Sequence, residues 1–79
     1  MRSTTNKYGD RNNIVGIEIK RLRQGKSMSQ RALADALQLE GLDMEKNAVQ
    51  RIESGERFVT DIELFAFAKV LGCEIEALY

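Results

Sequence analysis

An all-α fold of five short helices is predicted, and three observations predict it. Proline is absent from the 79 residues. Apolar residues recur at three- and four-residue spacing rather than in alternation, and residues that start and stop helices punctuate the chain. With 43% hydrophobic residues the chain is globular rather than disordered. Its length fits one domain near the lower limit for an unstapled core. Residues 1–12, polar and without apolar periodicity, read as a flexible N-terminal arm, and residues 13–79 as the folded domain.

Helix 1 is expected over Ile14 to Gln24, capped by Asn12 or Asn13, with Val15, Ile19 and Leu22 along one side. Gly16 should weaken its first turn by about 1 kcal/mol relative to alanine. Helix 2 starts at the N-cap Ser29, with Met28 placed to staple onto Leu33. Its buried stripe is Ala32, Leu33, Ala36 and Leu37. The connection from Gln38 to Asp43 pivots on Gly41, with Leu39 and Leu42 turned inward. A third helix follows over 45–54, capped by Asp43 (chemically the better cap) or by Glu45, which suits a Met44–Val49 staple. Thr60 and Glu63 form a capping box for helix 4, flanked by the staple pair Val59 and Leu64. Leu64, Phe67, Ala68 and Leu71 face its core side, and Gly72 stops it. A last short helix, Glu74 to Tyr79, packs back through Leu78.

Most catalytic chemistry is excluded early. No histidine is present to serve as a base near neutral pH, and nothing gathers the carboxylates around a nucleophile. The single cysteine, Cys73, can form neither an internal disulfide nor, without histidine, a zinc site. It reads as a small buried apolar group. No metal, cofactor or catalytic residue is expected. No apolar run is long enough to span a bilayer and no signal peptide is evident, so a cytoplasmic protein away from membranes is expected.

Formal net charge is zero, yet its distribution is uneven. Residues 1–31 hold eight basic side chains (Arg2, Lys7, Arg11, Lys20, Arg21, Arg23, Lys26, Arg31) against Asp10 and Glu18. The rest of the chain is acidic. A basic half could lie on a phosphate backbone while the acidic half faces away, if the division persists in space.

The third helix is the segment the others serve. At 3.6 residues per turn, Met44, Val49 and Ile52 fall on one side, and Lys46, Asn47, Gln50 and Arg51 on the other. Any surface helix has a polar face. This one, however, carries the side chains that read base edges: Arg for guanine, Asn or Gln for adenine, Lys for guanine or phosphate. Two short helices joined by a turn, with one helix before and two after, form a helix-turn-helix whose second helix can enter the major groove.

At this point the chain resembles the phage repressor and Cro-like helix-turn-helix family (the XRE family). The resemblance runs through Ile19-Lys20-Arg21-Leu22-Arg23, Met28-Ser29-Gln30 with Leu33-Ala34, Val49-Gln50-Arg51-Ile52-Glu53-Ser54-Gly55-Glu56-Arg57, and Leu64, Ala68 and Leu71-Gly72. It implies a compact five-helix lambda-repressor-like DNA-binding domain acting on double-stranded DNA as a transcriptional repressor, with a homodimer as partner state. Carried over by position, Lys46, Asn47, Gln50 and Arg51 would read bases. Gln30 would touch a phosphate and brace the reading helix, with Ser29 and Arg31 beside it, and Ser54 and Arg57 would contact the backbone. Arg23 and Glu53 would form an internal salt bridge. Ile17, Phe58, Phe65, Ile75 or Tyr79 would supply the dimer patch. The departure is the stretch from Leu37 to Val49, about five residues longer than the family's usual spacing. Either helix 2 is extended or the connection bulges around Gly41. The alternative function is a protein-interaction module, or an antitoxin with a protein partner, on the same fold.

Overall fold

Ser29, Thr60 and their neighbours start helices where their side chains can accept the unpaired amides of a first turn. In the computed structural model, which describes residues 9–79, these helices are α1 (Val15–Gly25), α2 (Gln30–Leu39), α3 (Lys46–Ser54) and α4 (Asp61–Leu71). No strand occurs among the described residues. The expected fifth helix is instead one 3-10 turn, Ile75–Leu78. Four residues are too few to nucleate an α-helix, and bonds three residues apart close the segment. The arm expected over residues 1–12 lies mostly outside the described residues.

Ser29 Oγ accepts the Ala32 amide at 2.9 Å, and Thr60 and Glu63 exchange the two bonds of a capping box. Asn13 Oδ1 accepts the Gly16 amide at 2.8 Å at the start of α1. Of the two caps considered for α3, the backbone uses Glu45, whose carbonyl accepts from Ala48 and Val49 while its side chain makes no cap bond. Burial of Met44 and Val49 decides this, since both must reach the core for the helix to enter at that angle.

All four α-helices end on one device. The amide just past the reversal reaches back five positions, from Met28 to the Arg23 carbonyl, Leu42 to Leu37, Glu56 to Arg51 and Cys73 to Ala68. The left-handed residue each reversal requires is Ser27, Gly41, Gly55 or Gly72. Ser27, at φ 56°, is the one with a Cβ, which that conformation disfavours. Ser27→Gly should therefore stabilise the domain by about 0.5–1 kcal/mol, after allowing for glycine's larger entropy when unfolded. A urea midpoint that stays put or falls would contradict this.

The reversal at Gly41 settles the connection between α2 and α3. It bulges, and helix 2 is not extended by a turn. Leu42 folds back half-buried onto the core, whereas Leu39, expected to turn inward, is 89% exposed. The chain reverses just beyond Leu39, so only the residue after the glycine faces the core again. Ala32 is likewise exposed, and Ala34 takes its place in the stripe with Leu33 and Leu37.

The core draws fully buried side chains from every element: Ile19, Leu33, Leu37, Val49, Ile52, Phe67 and Leu78. α3 rests on α1 and α2, and α4 on α1 and α2, with the 3-10 turn against α1 and α4. Cys73 is half-buried, and burial together with Glu74 pushes its thiol up, so it packs as a neutral group. Among the described residues no helix is long and apolar enough to cross a membrane, and no group of side chains could hold a metal ion.

Candidate nucleic-acid interface

α3 is a helix with a locked back and an open front. Val49 and Ile52 are fully buried, and beside them Glu53 is buried as a carboxylate. Arg23 of α1 meets it with two parallel bonds, Nε to Oε2 at 2.6 Å and Nη2 to Oε1 at 3.0 Å. Its remaining terminal nitrogen donates to the Met28 carbonyl at 2.7 Å. Gln30 of α2 donates to the same Glu53 Oε1 at 3.0 Å. One carboxylate thus ties three helices together, and no buried side-chain polar atom among the described residues lacks a partner.

The end of α3 is fastened from the chain's beginning. Arg11 and Asn12, placed by sequence in the arm, hydrogen-bond to the carbonyls that a helix end leaves unpaired. Arg11 Nη2 donates to the Glu53 carbonyl at 3.0 Å. Asn12 gives its amide to Gly55 and its side chain to Glu56. Asn13 Nδ2 donates to both Ile52 and Arg57 carbonyls, at 3.0 and 2.7 Å. Gly55, in the left-handed region at φ 89°, has no Cβ, and the Arg11 side chain packs into that space. Gly16 serves a comparable purpose, because α1 crosses α3 there. A Cβ on Gly16 would overlap the Ile52 carbonyl oxygen outright. The sequence view of Gly16 as a local weakness is thereby corrected: it is a point where the two helices approach too closely for a side chain.

Outward from this support stand Lys46, Asn47, Gln50 and Arg51, all exposed. None of their side chains has a hydrogen bond or ion pair with a described residue. Asn47, Gln50 and Arg51 line one surface hollow together with Glu56. Lys46 shares a second hollow with Arg31, where α2 and α3 meet. Asn47 and Arg51 border a third with Arg57. Asn47, Gln50 and Arg51 thus share one side with Arg57, and Lys46 stands at the junction with α2.

Their surroundings differ. Arg31 is exposed and unpaired among the described residues. Ser29 is engaged as a helix cap and Gln30 by Glu53. The Ser54 hydroxyl lies between the Arg51 carbonyl and the Glu56 carboxylate, at 3.1 and 3.0 Å. Arg57 is held by Glu63 through two bonds of 2.9 and 3.0 Å. Those bonds, aided by the Thr60 amide, keep the Glu63 carboxyl below the ordinary carboxylate range despite partial burial. A lowered folded-state value contributes stability above the unfolded value, about 4.3, and loses it as pH falls through the lower one. The stability gap between wild type and Glu63→Gln should accordingly be wide at pH 7 and shrink below about pH 4 in paired urea melts.

Sequence position did not disclose the charge arrangement. Arg11 and Arg23 are spent inside the fold, and Arg21 is paired with Glu18. Lys26 lies near Gly72 at the end of α4. Asp35, Asp43, Glu45 and Glu56, by contrast, line the hollows along the α3 face. Among the described residues, the basic side chains of the first part of the sequence are therefore not gathered on one face.

The crystal structure of the restriction-modification controller protein C.AhdI from Aeromonas hydrophila superposes with a TM-score of 0.73 at 26% identity, covering 82% of this chain and 91% of that one. No curated protein sequence matches. A Helix-turn-helix family model matches residues 19–78, from the middle of α1 through the closing 3-10 turn. The chain belongs to that family, the XRE-type helix-turn-helix DNA-binding transcription regulators.

Proposed function

We propose that two copies of this chain bind a two-fold symmetric site on double-stranded DNA, each laying α3 in the major groove, and that occupancy represses transcription in the cytoplasm. The observation that carries this reading is the row Lys46, Asn47, Gln50 and Arg51. These donors and acceptors have no protein partner among the described residues and stand on a helix whose back is buried and tied to α1 through Glu53. Arg51 suits guanine, and Asn47 and Gln50 suit adenine. Phosphate contacts from Ser29, Gln30, Arg31, Ser54 and Arg57 would set register without reading sequence. The solved neighbour's description as a controller protein supports a regulatory outcome.

Dimerisation fits the apolar side chains left outside. Phe58, Ile62, Phe65 and Tyr79 are 71, 73, 64 and 67% exposed. A stable dimer buries about 800 Å² per partner, and exposed aromatic and aliphatic side chains are the groups such an interface covers. Ile17 lies exposed and Ile75 half-buried among the remaining apolar groups.

Selection of bound sequences from random duplexes should return a palindromic motif with half-sites about one helical turn apart. Arg51→Ala should then lose about 1–3 kcal/mol at one base position and relax preference there alone. Failure to enrich any motif would end the proposal, and sedimentation of a single copy per symmetric site would remove the dimer.

A further inference from the structure

Arg57 borders the hollow shared with Asn47 and Arg51 and is gripped by Glu63, which does not line that hollow. A guanidinium has five N–H groups in a fixed plane. Glu63 takes one from each terminal nitrogen, and the Phe58 carbonyl takes the second hydrogen of Nη1 at 3.1 Å. Two donors remain, on Nε and Nη2. They lie on one edge of the plane, parallel, and no described residue accepts from them. Two parallel N–H groups on a planar cation match two oxygens of one phosphate.

Glu63 is itself fixed. Its side chain is 13% exposed, its Oε1 also accepts the Thr60 amide at 3.0 Å, and its own amide donates to the Thr60 hydroxyl. A flexible arginine loses rotamer freedom when it binds, whereas this one is set in the free protein.

Resting on the DNA-binding reading above, we infer that Glu63 is a positioning residue that presents Arg57 as a rigid two-donor clamp for a single backbone phosphate beside the reading helix. Its carboxylate also offsets the arginine's charge, so the contact works by geometry rather than by general attraction to DNA. The capping box of α4 thereby serves twice, since the same glutamate starts a helix and aims a DNA contact.

The test uses the full chain and the duplex recovered by selection. Arg57→Lys keeps the charge and loses the fork, and should weaken binding about tenfold on every sequence, with base preferences unchanged. Glu63→Gln should do likewise to a smaller degree, although it removes a negative charge near DNA. Replacing backbone phosphates one at a time by neutral methylphosphonates should reveal one position whose penalty is present in wild type and absent in Arg57→Lys. Thermal melts show which variants remain folded, and the phosphonate series on wild type needs no variant at all.

Unchanged or tighter binding by folded Glu63→Gln, or a phosphonate penalty that persists in Arg57→Lys, overturns the inference. If Arg51→Ala also leaves binding and base preference untouched, the reading of α3 fails and this inference fails with it. Loss with Arg51→Ala but none with Arg57→Lys refutes the clamp alone.

Discussion

Glu53→Ala should lose about 3–5 kcal/mol of stability, because it strands a buried cation rather than merely deleting a contact. The Arg23 side chain is 10% exposed and that of Glu53 3%. After the change, Arg23 retains the Met28 carbonyl and nothing anionic, while Gln30 loses its acceptor. A domain of this length has roughly 4–12 kcal/mol in total, so a large share of its stability would go. Urea melts measure the loss. Removing both ends of the pair by Arg23→Met with Glu53→Met should cost much less, since buried pairs replaced by apolar groups of similar size are near neutral. A Glu53→Ala loss below about 1 kcal/mol would mean that the pair behaves as a solvated one.

Gly16→Ala should cost about 3 kcal/mol, against the ordinary rule that alanine strengthens a helix by about 1 kcal/mol over glycine. The added methyl would overlap the Ile52 carbonyl oxygen and meet Arg11 Nη2 and Asn13 Oδ1 each at 2.8 Å. Ile52 is fully buried and cannot retreat without opening the core. Relief requires α1 to lift from α3, which would also break the fastening of the α3 end by Arg11 and Asn13. A lower urea midpoint with weaker DNA binding is expected. A gain in stability would show that the two helices can part at this crossing without loss.

Both sites show what could be read from sequence and what could not. Helix starts were legible because their signals are local: Ser29 and Thr60 lie within three residues of the amides they accept. The core stripes of α1 and α4 followed from periodicity. The α3 face followed from residue chemistry, and its membership in a helix-turn-helix from several short motifs in order. Gly16 was illegible because its meaning lies 36 positions away, at Ile52. Nothing near Arg11 or Asn12 announces that they reach Glu53 and Gly55, some forty residues on. Glu63 has a sufficient local purpose as a helix cap, and nothing local suggests a second one with Arg57. Leu39 departs from expectation for a geometric reason: the chain reverses at Gly41, two positions on, and it is Leu42 rather than Leu39 that folds back onto the core.

The shared grip on Glu53 by Arg23 and Gln30 also bears on hydrogen exchange. A segment held by two other helices cannot open separately, so the amides of Val49, Ile52 and Glu53 should exchange only when the whole domain unfolds. The recognition surface would then exist before DNA arrives. Association should show the heat-capacity change of docking two formed surfaces, without the added signature of a segment folding upon its target.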